Sequence, residues 1–233
     1  MDFDFEPYFR RYEQLAAAAD AAFERVRAAH PDCVRCRRGC ADCCHALFDM
    51  TLVEALYLNR RFRARFAAAA RSRIEEEANR IDRRIAKIKR HARQELEAGR
   101  SELEVLEELG RERVRCPLLS EEDLCLLYEH RPLTCRFYGI PTASQGRGRT
   151  CGLSGFQTGV SYPTVLLDAV HAKLQELSAE LLRDLQAKHV KLADLLVPLS
   201  SALLTDYDEI YFGLREEPLE EPPPRRKRSR RTP

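Results

Sequence analysis

The chain of 233 residues has no run approaching the ~18 apolar residues that a membrane-spanning helix requires, so a helical span is excluded. Its opening segment, MDFDFEPYFRRYEQ, has neither the basic lead nor the apolar core of a secretory signal, and the expected compartment is the reducing cytoplasm. Net charge is also scarce: 39 Lys and Arg against 37 Asp and Glu leave +2, too little for a global attraction to nucleic acid. Almost no stretch alternates with the period of two that marks a half-buried strand. No glycine-rich nucleotide loop follows a strand, and no catalytic triad, paired carboxylate site or phosphate loop stands out. Acidic residues recur with Lys and Arg along helix faces, the pattern of a solvated surface.

What the chain does have is sulfur. Five of nine cysteines fall in the twelve residues CVRCRRGCADCC, from Cys33 to Cys44, and the rest return at Cys116, Cys125, Cys135 and Cys151. Thiolates bind zinc, iron-sulfur clusters and copper tightly, and crowding them at such short gaps has few other chemical uses. A disulfide framework suits short secreted chains, and here the odd count and the adjacent Cys43 and Cys44 argue against it.

The first block offers Cys36-x3-Cys40-x2-Cys43-Cys44 and the second Cys116-x8-Cys125-x9-Cys135-x15-Cys151, which leaves Cys33 as the odd thiol. These eight are the candidate metal ligands. They suffice for two tetrahedral zinc ions, for two four-thiolate clusters, or for one centre with spare thiols. On an extended backbone Cys43 and Cys44 would point to opposite sides and face two centres, whereas a tight turn would relax that constraint. Gly39 allows a positive φ between them and Cys36. His45 and His130 lie beside the cysteines and are read as supporting or structural, with eight thiols already in hand. Arg131 and Arg136 would place guanidinium groups where they can hydrogen-bond to sulfur and balance charge.

Between and around the blocks the periodicity is helical. Tyr8, Tyr12, Leu15, Ala19, Phe23 and Val26 share a face over 7–29, with a stop at His30-Pro31. A second helix starts at Thr51 with Glu54 closing a capping box. Ile74, Ala78, Ile81, Ile85, Ile88 and Ala92 form a stripe over 72–98, broken at Gly99 and resumed at Leu103, Leu106 and Leu109. Another helix is expected from Tyr162-Pro163 through Leu185, and a shorter one over 192–204, kinked at Pro198. All of these stripes are assigned to packing. The expected fold is therefore mainly α: an irregular helical bundle with two cysteine-rich loops converging on a metal site and a long charged helical hairpin or arm.

In domain terms, 1–213 form one helical cysteine-cluster domain, with blocks 33–44 and 116–151 flanking a helical insertion over 51–109. Residues 214–233, EEPLEEPPPRRKRSRRTP at their core, read as a disordered proline-rich and basic tail. Expected partners are a protein engaging the charged helix and polyanions weakly attracted by the tail.

The segments CRRGCADCC and CPLLSEEDLCLLYEHRPLTCRFYG resemble, in order, the two blocks of the YkgJ-type cysteine-cluster family with its CxxCxxCC signature. The first gap here is three residues where that signature has two. The resemblance implies zinc or iron chelation in a bacterial cytoplasm, with iron-sulfur cluster or zinc as the cofactor and a redox or metal-handling role. A structural zinc adaptor without catalysis is an alternative. Flagellin lysine N-methylases carry a similar cysteine domain, which implies a cluster-dependent protein-modifying enzyme as another. The Cys36-x3-Cys40-x2-Cys43 spacing also matches that of radical enzymes, but a helix rather than a strand precedes the loop.

Overall fold

A computed structural model describes residues 3–215, so the basic tail lies outside the described residues. Seven α-helices dominate them, with only short strands. The first helix, α1 (Glu6–Ala29), buries Tyr8, Phe9, Tyr12, Ala16, Ala19 and Val26, and ends as His30 leaves helical geometry ahead of Pro31. The central helix is α2 (Leu52–Arg65), apolar on nearly every face and so able to be surrounded. It packs against α1, against α6 (Leu167–Asp184) and against α7 (Leu199–Leu204).

Both ends of α2 are secured by buried polar groups. The expected capping box forms: the Thr51 N–H donates to Glu54 Oε2 at 3.4 Å, while the Val53 N–H donates to Ser178 Oγ at 3.2 Å. The other carboxylate oxygen of Glu54 accepts the Leu133 N–H at 3.0 Å. That bond anchors the start of α5 (Leu133–Phe137), so one buried acid ties the core to the helix carrying Cys135. Further along α2, Asn59 Nδ2 donates to the carbonyls of Ala202 (2.9 Å) and Thr205 (3.0 Å), satisfying carbonyls left open where α7 ends.

The long helix α3 (Ala68–Glu97) turns at Gly99, φ +86°, into α4 (Glu102–Arg111), giving the expected hairpin. It does not project as a free arm. Its stripe packs on α7, where Ser200 and Ser201 donate to Asp82, and Lys89 pairs with Asp49 at 2.6 Å.

Two small sheets adjust the expected helix boundaries. In the first, β1 (Asp49–Met50) pairs antiparallel with β5 (Val197–Pro198). The expected helix over 192–204 is therefore a 3-10 turn (Val190–Asp194), a strand, and then α7 with Pro198 as its N-cap; a proline lacks the N–H to continue a helix but fits its start. In the second, β2 (Thr142–Ser144) pairs antiparallel with β3 (Arg147–Arg149) and parallel with β4 (Val165–Leu166). Pairing of β4 delays α6 to Leu167 rather than Tyr162-Pro163. Asp168 in its first turn then accepts from Ser144 Oγ (2.6 Å) and the Gln145 N–H (2.7 Å). Among the described residues, no helix is long and apolar enough to cross a membrane.

Candidate metal centre

The two cysteine blocks are joined backbone to backbone. Cys43 and Cys44 sit on a 3-10 turn (Asp42–His45), and the strand-like segment after it receives the second block: the Cys116 N–H donates to the Cys44 carbonyl at 2.7 Å and the Val114 N–H to the His45 carbonyl at 2.9 Å. An isolated bridge between Ala46 and Arg113 extends the pairing. Residues far apart in sequence thus become neighbours without the help of side chains.

Local turns then aim the sulfurs. Gly39, φ +80°, lets the chain fold back so that the Cys40 N–H reaches the Arg37 carbonyl at 2.9 Å. Cys116 and Cys125 lie at the base of a tight loop, bridged between Leu119 and Cys125 and pinned by Ser120 Oγ, which accepts the Leu124 N–H at 3.3 Å. Cys135 rides on α5. Cys151 opens a turn closed by Ser154 Oγ on its carbonyl at 2.6 Å. Cys36 Sγ lies 3.7 Å from the Tyr138 carbonyl oxygen, against Gly139 at φ +104°. A Cβ at Gly139 would come within 2.3 Å of that sulfur, so only glycine leaves room for it.

All eight candidate cysteines line one cavity of about 650 Å³. Cys33 does not. It is held by the opposite loop, where the Gly155 N–H donates to its carbonyl at 2.8 Å and its thiol lies 3.5 Å from the Gly155 oxygen. The histidines are likewise engaged outside the cavity lining: His45 Nδ1 lies 3.1 Å from the Ala41 oxygen, and His130 Nδ1 lies 2.9 Å from Tyr57 Oη. The doublet stands on a 3-10 turn rather than an extended strand, so Cys43 and Cys44 diverge by about 120° and both still reach the cavity.

The donor set fits a soft or borderline cation. Backbone N–H groups two residues on, at Leu118, Leu127 and Leu153, donate to the sulfurs of Cys116, Cys125 and Cys151, as they would to thiolates. Among the described residues, no three Cys, His, Asp or Glu side chains are yet gathered into a closed cage. Closing on an ion therefore requires the sulfurs to draw in from the cavity walls as their protons leave.

Proton affinities vary sharply across the cavity. Burial pushes the Cys36 thiol up to about 11 and the Cys116 thiol up to about 12, and raises Cys125, Cys135 and Cys151 as well. Cys43 moves the other way, to about 7, because Cys44 donates a hydrogen bond to it and Arg131 adds positive charge; as the donor, Cys44 is raised. Arg131 thus acts on sulfur through its charge. Its guanidinium is also shared with Asp20 at 3.3 Å and lies 3.9 Å over the Tyr128 ring. The buried Arg136 pairs with Asp20 and donates to the carbonyls of Glu129 (2.6 Å) and Arg131 (3.1 Å), bracing the loop rather than binding a sulfur.

Several residues here escape sequence reasoning. Asp42 gathers the Arg113 guanidinium, Tyr138 Oη at 2.8 Å and the Cys151 thiol at 3.4 Å. Burial alone would raise its carboxyl, but the hydrogen bonds from Tyr138 and Cys151 and the Arg113 charge hold it below the usual range. Phe23, Ile81 and Ile85, assigned from their stripes to packing alone, also form cavity wall. The signal for Tyr138 and Gly139 is their place directly after Cys135-Arg136 in the second block; for Asp42 it is only the density of cysteine around it.

A family model described as "CxxCxxCC: Putative zinc- or iron-chelating domain" matches residues 35–152, just over half of the chain, spanning both cysteine blocks and the helices between them. No curated protein and no solved structure matches the chain.

Proposed function

The chain belongs to the CxxCxxCC family, and on that premise we propose that its cysteine thiolates hold metal, as an iron-sulfur cluster or as zinc, in a redox or metal-handling role. The observation that supports this reading is the lining of a single cavity by thiols from both blocks, Cys36, Cys40, Cys43 and Cys44 with Cys116, Cys125, Cys135 and Cys151. Zinc would close the loops tetrahedrally without redox chemistry, whereas an iron-sulfur cluster would add one-electron exchange. Nine free thiols suit a reducing compartment, and the cytoplasm is the proposed location.

Protein purified without oxygen decides the ion. A brown preparation with broad visible absorption and sulfide equimolar to iron identifies the cluster. A colourless preparation containing zinc identifies the other form and favours an adaptor role. Neither metal after anaerobic expression in metal-supplemented medium refutes the reading.

A further inference from the structure

We infer that the cavity holds two separate four-thiolate centres, one built from Cys36, Cys40, Cys43 and Cys151 and the other from Cys44, Cys116, Cys125 and Cys135. The inference rests on the reading that the thiols chelate metal, and adds to it the number of centres and the membership of each.

The division follows from how the sulfurs are positioned. Cys36 and Cys151 are gathered at one end by Tyr138: its carbonyl oxygen lies 3.7 Å from Cys36 Sγ, and its hydroxyl donates to the Asp42 carboxylate that also accepts from Cys151 at 3.4 Å. Cys40 is the thiol whose charge acts on both Cys36 and Cys151. At the other end, the 2.7 Å bond from the Cys116 N–H to the Cys44 carbonyl and the bridge between Leu119 and Cys125 assemble Cys44, Cys116 and Cys125. The charges of Cys116 and Cys125 both act on Cys135 and on Cys44. Cys43 lies at the seam and acts on thiols of both ends.

Two considerations assign Cys43 to the first set. Cys44 is committed to the Cys116 end by its own backbone, and a 3-10 turn aims consecutive side chains about 120° apart, so neighbours on it serve different centres more readily than one. The count then closes, with four sulfurs at each end, the number that both zinc and iron-sulfur sites take from all-cysteine ligation. Asp42 acts as a positioning residue, tethering Cys151 to the turn that bears Cys43.

The test compares double variants within and across the two sets in the full chain, reconstituted anaerobically with Co²⁺ alone as the probe. Bound Co²⁺ is measured by elemental analysis, and thiolate ligation by sulfur-to-cobalt charge-transfer absorbance. Wild type is expected to bind two equivalents. Cys36→Ala/Cys151→Ala and Cys116→Ala/Cys125→Ala should each bind one and retain about half the absorbance, whereas Cys36→Ala/Cys116→Ala should bind none. One equivalent in wild type, or equal binding by all three doubles, overturns the division while leaving chelation standing. No binding by wild type overturns the chelation reading itself. The two within-set doubles serve as folding controls for each other, since each must still bind its one remaining ion with thiolate absorbance.

Discussion

The central helix α2 buries nine of its fourteen residues, while the Asp42–His45 turn a few residues upstream buries none. Apolar packing therefore secures α2, with its ends capped by Glu54, Ser178 and Asn59. The turn is held by backbone bonds to a segment some seventy residues away and by the Asp42 contacts to Arg113, Tyr138 and Cys151. The contrast teaches that the helical core can stand on burial alone, whereas the cysteine loops require a cation to add what packing does not supply.

Removing metal should separate the two regions most strongly. Structural thiolate sites contribute on the order of 10 kcal/mol to the segments they organise. Chelation of the loaded protein is therefore expected to abolish hydrogen-exchange protection in the loops around Cys40, Cys116 and Cys151 while α1, α2 and α6 remain protected. Simultaneous loss in both regions would break the comparison.

The reciprocal perturbation is Phe62→Ala in the fully buried face of α2. It should cost about 3–5 kcal/mol in urea unfolding, with metal content unchanged below the transition. Loss of metal under native conditions would mean that the core and the cavity are one cooperative unit.

Alkaline pH sharpens the distinction in the metal-free form. The buried Cys116 thiol titrates near 12 in the folded chain against about 9 when unfolded, so its contribution is fully present below pH ~9 and is lost as pH rises through the folded value. Each unit of such a shift corresponds to ~1.4 kcal/mol. Metal-free protein should therefore lose melting temperature between about pH 9 and 12, and metal-loaded protein, whose sulfurs carry no proton, should not. Equal alkaline loss in both forms would remove the thiols as its cause.

A smaller and more local effect is expected from Gly139→Ala. The added Cβ displaces the Cys36 sulfur and meets a φ of +104°, which L-residues disfavour by roughly 1–2 kcal/mol in the left-handed region. Stability should fall by about that amount, and metal affinity should fall through the loss of Cys36. Unchanged affinity would show that Cys36 is not a ligand.

The legibility of the two regions differs for the same reason. The capping box at Thr51 and Glu54 and the stripes of α1 and α3 were readable because a helix is closed by neighbours three and four residues away, and the pattern is written locally. The start of α6 was not, because β4 is recruited by β2, more than twenty residues earlier. In the site, the residue type and spacing of the eight cysteines named the chemistry, but the roles of Asp42, Tyr138 and Gly139 depend on contacts about a hundred residues apart in sequence.

Composition and periodicity by themselves determined a mainly helical chain rich in soft ligands, since thiol chemistry and helical repeat are properties of short stretches. Only the tertiary structure decided that Cys33 faces Gly155, that α3 lies along α7 as one wall of the cavity, and that the two cysteine blocks meet at the Cys44 carbonyl. Such meetings are set by backbone pairing and packing between distant segments, and no local pattern encodes which distant partner a carbonyl will find.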